Sequence, residues 1–145
     1  PLDRAGNMAV EKVLIKNGAD GSKHPFHYAV LMEDKEKVKD FLKKGVDVNK
    51  VGGHYTPIEY AVYTGNLKLA ELLIKHGADI IENNPLPVAV VWNRVEMADF
   101  LIKNGADVNI RDDFQGYTPL DYVKSDEMRK LLVKHGAKES GIPKF

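Results

Sequence analysis

The eight residues Leu72-Leu73-Ile74-Lys75-His76-Gly77-Ala78-Asp79 decide how this chain is read, because they recur along it. They return as Val13-Leu14-Ile15-Lys16-Asn17-Gly18-Ala19-Asp20, as Phe100-Leu101-Ile102-Lys103-Asn104-Gly105-Ala106-Asp107, and as Leu131-Leu132-Val133-Lys134-His135-Gly136-Ala137. Phe41-Leu42-Lys43-Lys44-Gly45-Val46-Asp47 is a looser copy. The five glycines are separated by 27, 32, 28 and 31 residues. Such a period predicts a solenoid of stacked supersecondary units rather than one closed core.

Each copy reads as the end of a helix. Leu69, Leu72 and Leu73 stand at i, i+3 and i+4, as do Met97, Phe100 and Leu101, and Val38, Phe41 and Leu42, which is the spacing of one helix face. The glycine that follows supplies the left-handed residue on which helices stop. A second element precedes each stripe. Thr56-Pro57-Ile58-Glu59-Tyr60-Ala61 matches Thr118-Pro119-Leu120-Asp121-Tyr122-Val123, with His24-Pro25 and Asn84-Pro85 as weaker versions. Thr56 can cap a helix, Pro57 at the first helical position gives up only an N–H without a partner, and Glu59 completes a capping box. Each repeat therefore reads as helix, turn, helix, glycine stop and linker.

These residues resemble ankyrin repeats. The resemblance rests on the Thr-Pro starts at 56 and 118, on Gly65-Asn66 between paired helices, on the Leu-Leu pairs, and on Gly-Ala-Asp-Val-Asn at 105–109. It implies an all-α solenoid of helix–turn–helix units with projecting β-hairpin loops. It also implies a concave face, made of first helices and hairpins, that binds other proteins. Five repeats are expected at about 1–20, 21–47, 48–79, 80–107 and 108–138, with a tail at 139–145. The first is partial, with its first helix ending near Gly6, so something precedes Pro1 or that end is frayed. The fifth is shortened: Pro119 to Gly136 is 17 residues, against 20 in the three before it. Its charged second helix suits a terminal cap with a solvated outer face.

Linker lengths set the loops. From glycine to proline there are 12 and 14 residues before Pro57 and Pro119, but 7 and 8 before Pro25 and Pro85. Full hairpins are expected at 47–56 and 107–118, and stunted loops at 20–24 and 79–84. Residues six and seven after each proline are the groove-facing positions that the resemblance implies: Leu31 and Met32, Tyr63 and Thr64, Val91 and Trp92. Packed helices lie about 10 Å apart, so these pairs would form an apolar strip. Aromatic anchors dominate protein–protein affinity, which makes Tyr63 and Trp92 candidate contacts; Trp92 reads equally well as core. His54, Tyr55, Arg111, Phe114 and Tyr117 complete the candidate surface as loop residues, with Lys50, Asp112 and Asp113 adding charge for specificity. Tyr28, Tyr60 and Tyr122 read as core, their hydroxyls reaching a loop carbonyl or water.

Composition narrows the function. Lys plus Arg and Asp plus Glu are 21 each, for zero formal charge, which argues against a nucleic-acid binder built on a basic face. There is no cysteine, so thiol nucleophiles, Cys–zinc sites and disulfides are excluded. No apolar run approaches a membrane span. His76 and His135 precede helix-stopping glycines where Asn17 and Asn104 stand in sister repeats, so they read as caps rather than ligands. His24 and His27 fall at a capping position and at the family's structural histidine. Gly52-Gly53 lacks the Gly-Lys-Ser/Thr of a phosphate loop. No catalytic motif, metal site or cofactor is expected. Asparagines placed like Asn49 and Asn109 accept β-hydroxylation in related repeats, but the stronger reading of both is a residue that hydrogen-bonds across the turn. The expectation is a cytoplasmic, monomeric, non-catalytic module that binds a partner protein. The alternatives are a structural or self-associating spacer, or the substrate-selecting part of a larger protein whose activity lies before residue 1.

Overall fold

A computed structural model describes residues 2–18 and 22–144, with side chains described for 8–18 and 22–144. Asp20, the start of the expected short loop at 20–24, and Phe145 lie outside the described residues. The fold is all-α. Its helices are α1 (Leu2–Lys16), α2 (Pro25–Leu31), α3 (Lys35–Lys43), α4 (Pro57–Thr64), α5 (Leu67–Lys75), α6 (Leu86–Val91), α7 (Val95–Lys103) and α8 (Asp126–Lys134), with a 3-10 turn at Pro119–Tyr122. They fall into two compact units, Leu2–Asp79 and Ile80–Phe145.

Within Leu2–Asp79, α2 pairs with α3 and α4 with α5, and α2 also packs on α4. The second helix of each pair buries its stripe: Val38 in α3, Leu69 and Leu73 in α5 are fully or almost fully buried. Each such Leu stabilises the stack by about 1.5–3 kcal/mol relative to exposure. Thr56 starts α4 as its sequence demands. Its backbone N–H donates to the Glu59 carboxylate at 2.7 Å, and the Glu59 N–H returns a bond to the Thr56 hydroxyl at 3.4 Å. Asn66 caps α5 through the Leu69 N–H at 3.0 Å. Gly65, between the two helices, has φ +75°. Glu33 and Asn93 hold the same place in their own repeats with φ 59° and 52°, a conformation that costs a residue with a side chain more than it costs glycine.

Within Ile80–Phe145, α6 pairs with α7, and the 3-10 turn and α8 complete the last repeat. Met97, Leu101, Met128 and Leu132 form its buried stripe. Asn84 receives the Leu86 N–H at 3.0 Å and donates to the Asp107 carbonyl at 3.0 Å. His24, its counterpart before α2, makes no side-chain cap.

Two expectations are corrected, and the shortening of the fifth repeat is located. α1 runs unbroken through Gly6 to Lys16. Its Val10, Val13 and Leu14, in register with Leu69, Leu72 and Leu73, are more than half exposed, since no paired first helix covers them among the described residues. The first helix of the fifth repeat is reduced to four residues, with Val123 already extended. The long loops are turns without strands: 47–56 carries a single antiparallel bridge between Gly52 and Tyr55, and 112–117 closes through Asp112 N–H to Tyr117 carbonyl at 2.9 Å.

Candidate functional site

In the unit Leu2–Asp79, the loop 47–56 is fixed from three sides. The Asn49 side chain donates to the Gly77 carbonyl at 2.9 Å and accepts the Asp79 N–H at 2.8 Å. The Nε2 of buried His27 bonds the Lys50 carbonyl. Burial holds the His27 pKa below the ordinary imidazole value, opposed by that carbonyl bond, while His24 and Lys50 push it further down. The Tyr60 hydroxyl donates to the Glu11 carboxylate at 2.6 Å and lies 3.4 Å from the Gly52 carbonyl. Burial and the Glu11 charge drive the phenol pKa upward. The expected acceptor for Tyr60 was a carbonyl or water; the principal one is a carboxylate from a helix 49 residues earlier.

The candidate residues here separate into two groups. Leu31 and Tyr55 are buried, so they have no surface to offer. Leu31 faces inward because α2 packs on both α3 and α4. The ring of Tyr55 meets Tyr60 edge to face at 5.4 Å, since the turn at 52–55 folds it under the loop. Met32 and His54 are exposed, and Tyr63 and Thr64 are half-buried. The Thr64 hydroxyl is turned back to the Ala61 carbonyl at 2.9 Å. Val51, exposed at the loop tip, is a candidate that the sequence reading passed over.

In the unit Ile80–Phe145, the loop 111–117 is organised by one carboxylate. Asp112 Oδ1 accepts the N–H groups of Phe114 at 3.1 Å, Gln115 at 2.6 Å and Gly116 at 3.0 Å, while Oδ2 accepts the Tyr122 hydroxyl at 2.6 Å. Burial pushes the Asp112 pKa up, but these four donors together outweigh it and hold the carboxyl below its ordinary value. Asp112, expected as a surface charge for specificity, is therefore the frame of the loop. Phe114 stands at its tip with 76% of its surface exposed. Arg111 donates to the Gly116 carbonyl at 2.8 Å, and Tyr117 donates to the Pro143 carbonyl at 3.1 Å. Val91 and Trp92 are half-buried at the end of α6, where Trp92 forms the C-cap. Ile81 is exposed.

The remaining polar candidates have structural partners. Asn109 repeats the Asn49 arrangement, donating to Gly136 at 3.0 Å and accepting from Lys138 at 2.8 Å. The His76 ring and the Asn17 and Asn104 side chains bond the carbonyl four residues back, each at 2.8 Å, the capping role that their interchange predicts. His135 instead turns toward Asp99 at 3.9 Å. Among the described residues no group of three or more His, Asp or Glu could hold a metal ion, and no helix is long and apolar enough to cross a membrane.

The sequence comparisons agree with this architecture. The ankyrin repeats family (3 copies) matches residues 4–84 and 26–112. A putative ankyrin repeat protein of Borreliella burgdorferi is 28% identical over 114 residues, covering 76% of this chain and 51% of that protein. Palmitoyltransferase AKR1 of Lachancea kluyveri is 32% identical over 85 residues, which are 51% of this chain but only 12% of the enzyme. Palmitoyltransferase ZDHHC13 of Homo sapiens is 36% identical over 55 residues, 37% of this chain and 9% of the enzyme. The chain thus spans about half the length of the spirochaete relative and about a tenth of the palmitoyltransferases. Ankyrin repeats generally serve as protein–protein interaction modules and are typically non-catalytic. With its helix pairs, its glycine stops and its Asn-bridged loops in place, and with the family match extending from residue 4 to residue 112, this chain belongs to the ankyrin repeat family.

Proposed function

We propose that this protein is a non-catalytic scaffold or adaptor that binds a partner protein through the loop 111–117 and the ends of its first helices. One observation carries the reading. Phe114 is 76% exposed on a loop that Asp112 fixes with bonds to three consecutive N–H groups. An exposed aromatic has surface to gain by being covered, and a preordered loop loses little conformational entropy when it binds. Arg111, Tyr117, Val91 and Trp92 belong to the same compact unit as contributors. Met32, His54, Tyr63 and Thr64 are the corresponding contributors of the other unit. The absence of cysteine fits a reducing, cytoplasmic setting.

The test is affinity capture from a native-source extract with the parent chain and with Phe114→Ala, whose fold is checked by circular dichroism. A protein retained by the parent and lost by the variant supports the reading. Equal retention removes Phe114 from the contact, and no retained protein returns the chain to a spacer role, which concentration-dependent sedimentation then examines for self-association. A second reading is favoured by the palmitoyltransferase matches: the repeats select substrates for an activity on the same polypeptide. A full coding sequence with no catalytic domain removes it.

A further inference from the structure

Residues 138–144 lie across the loop just described, and the contacts they make are those of a bound peptide. The Lys138 carbonyl accepts the Thr118 hydroxyl at 2.7 Å. The Ser140 N–H donates to Asp121 Oδ2 at 3.0 Å, and its carbonyl accepts from Arg111 at 3.4 Å. The Pro143 carbonyl accepts the Tyr117 hydroxyl at 3.1 Å. Lys144 Nζ stands 3.8 Å from Asp121 Oδ1. Gly116, at φ +73°, leaves room for Ile142: a Cβ there would lie 3.3 Å from Ile142 Cδ1.

The two sides of this contact are unequal. The seat is built into the repeat. The Asp121 side chain is 2% exposed and accepts the backbone N–H of Thr118, in its own repeat, at 2.8 Å. The occupant is held lightly. Glu139, Gly141, Ile142, Pro143 and Lys144 are all exposed, and the Lys144 side chain keeps about half of its surface in water. The bonds from Arg111 and Tyr117 are exposed while those at Lys138 and Ser140 are part-buried; a segment with this few contacts opens locally without global unfolding.

We propose that Arg111, Tyr117 and Asp121 form a seat for an extended peptide of a partner protein. The peptide would place a backbone N–H on the Asp121 carboxylate and a basic side chain four residues later. Residues 140–144 are the resident occupant, which that partner segment must displace. The pattern is read directly from Ser140 and Lys144. Covering the seat also withdraws Arg111 and Tyr117 from other contacts, so the segment regulates the loop that presents Phe114. The inference rests on the proposed function only in taking this loop as partner-facing; the seat itself is tested without any partner.

The probe is a fluorescent synthetic peptide of residues 139–145, titrated onto the full chain and onto a full-length S140P/K144E variant. The variant loses the Ser140 donor and reverses the Lys144 charge, which frees the seat. Saturable binding to the variant at least about tenfold tighter than to the parent is expected, because the tethered occupant competes at high effective concentration. The same peptide carrying Lys144→Glu should bind the variant several-fold more weakly. No saturable binding to a folded variant, or equal binding to both chains, overturns the proposal. A second measurement needs no variant. Hydrogen exchange of the Ser140 amide, which donates to Asp121, should proceed in the parent by local opening, orders of magnitude faster than at Leu132. Exchange of that amide only through global unfolding would make the segment a fixed cap and overturn the proposal. If the peptide binds as expected while Phe114→Ala leaves partner capture unchanged, the seat stands and the reading of Phe114 falls.

Discussion

Gly52 lies flat against the imidazole of His27, so that a Cβ at position 52 would stand 2.5 Å from both Nδ1 and Cδ2. The same ring bonds the Lys50 carbonyl through Nε2. One histidine therefore sets both the height of the loop and the residue at its turn. Gly52→Ala should cost about 1–3 kcal/mol as an overpacking change. Urea denaturation checks it, and a His27→Ala background should remove at least half of the cost, because the clash goes with the ring.

Acid should loosen the same region. The folded-state pKa of His27 is lowered, chiefly by burial, so below the ordinary value near 6.5 the unfolded chain binds a proton that the folded chain resists. The contribution is complete above pH 6.5 and is lost as pH falls from there toward the folded pKa. The urea midpoint should drop between pH 7.5 and pH 5.5, and His27→Gln should flatten that drop. An identical drop in the variant would assign it to other groups.

Asp112 should behave differently from its neighbours Arg111 and Asp113. Asp112→Ala leaves three backbone N–H groups and the Tyr122 hydroxyl without their acceptor, so a loss of about 1–3 kcal/mol is expected, against less than about 0.5 for Asp113→Ala. Because its folded pKa is depressed, the Asp112 charge contribution is fully present well above the unfolded value near 3.8 and is lost progressively as pH falls from there through the folded pKa. Thermal unfolding at pH 7 and pH 3 of parent and variant gives the comparison; the gap between the two proteins should be smaller at pH 3.

Asn49 and Asn109 make the same two bonds but sit differently in solvent, Asn49 half-buried and Asn109 exposed. Asn49→Ala should cost about 1–2 kcal/mol and Asn109→Ala about half of that, since water replaces the lost partners more easily at the exposed site. Reversal of this order in denaturant titrations would show that exposure does not set the cost.

Much of this arrangement is visible in the residue order. The capping box at Thr56 and Glu59, the buried stripes of α3, α5, α7 and α8, and the carbonyl caps by His76 and Asn104 all depend on neighbours within four residues. The candidate surface is another matter. Met32, His54 and Phe114 are exposed as their positions suggest, yet Leu31 and Tyr55 face inward. One helix position, or one loop residue, carries no sign of whether a neighbouring repeat covers it. Asp112 illustrates the same limit: its spacing marks a loop charge, and only its four donors make it a frame.

The sequence by itself determined the period, the capped starts and glycine stops between Thr56 and Gly136, and the family, because capping, glycine stops and helical stripes are local and repeat with the chain. The tertiary structure alone decided what reaches across repeats: Glu11 on Tyr60, His27 on Lys50, Asn49 on Gly77, and residues 138–144 over Asp121. Those partners lie 19 to 49 positions apart. Their pairing follows from how stacked helices place side chains, a geometry that no local spacing encodes.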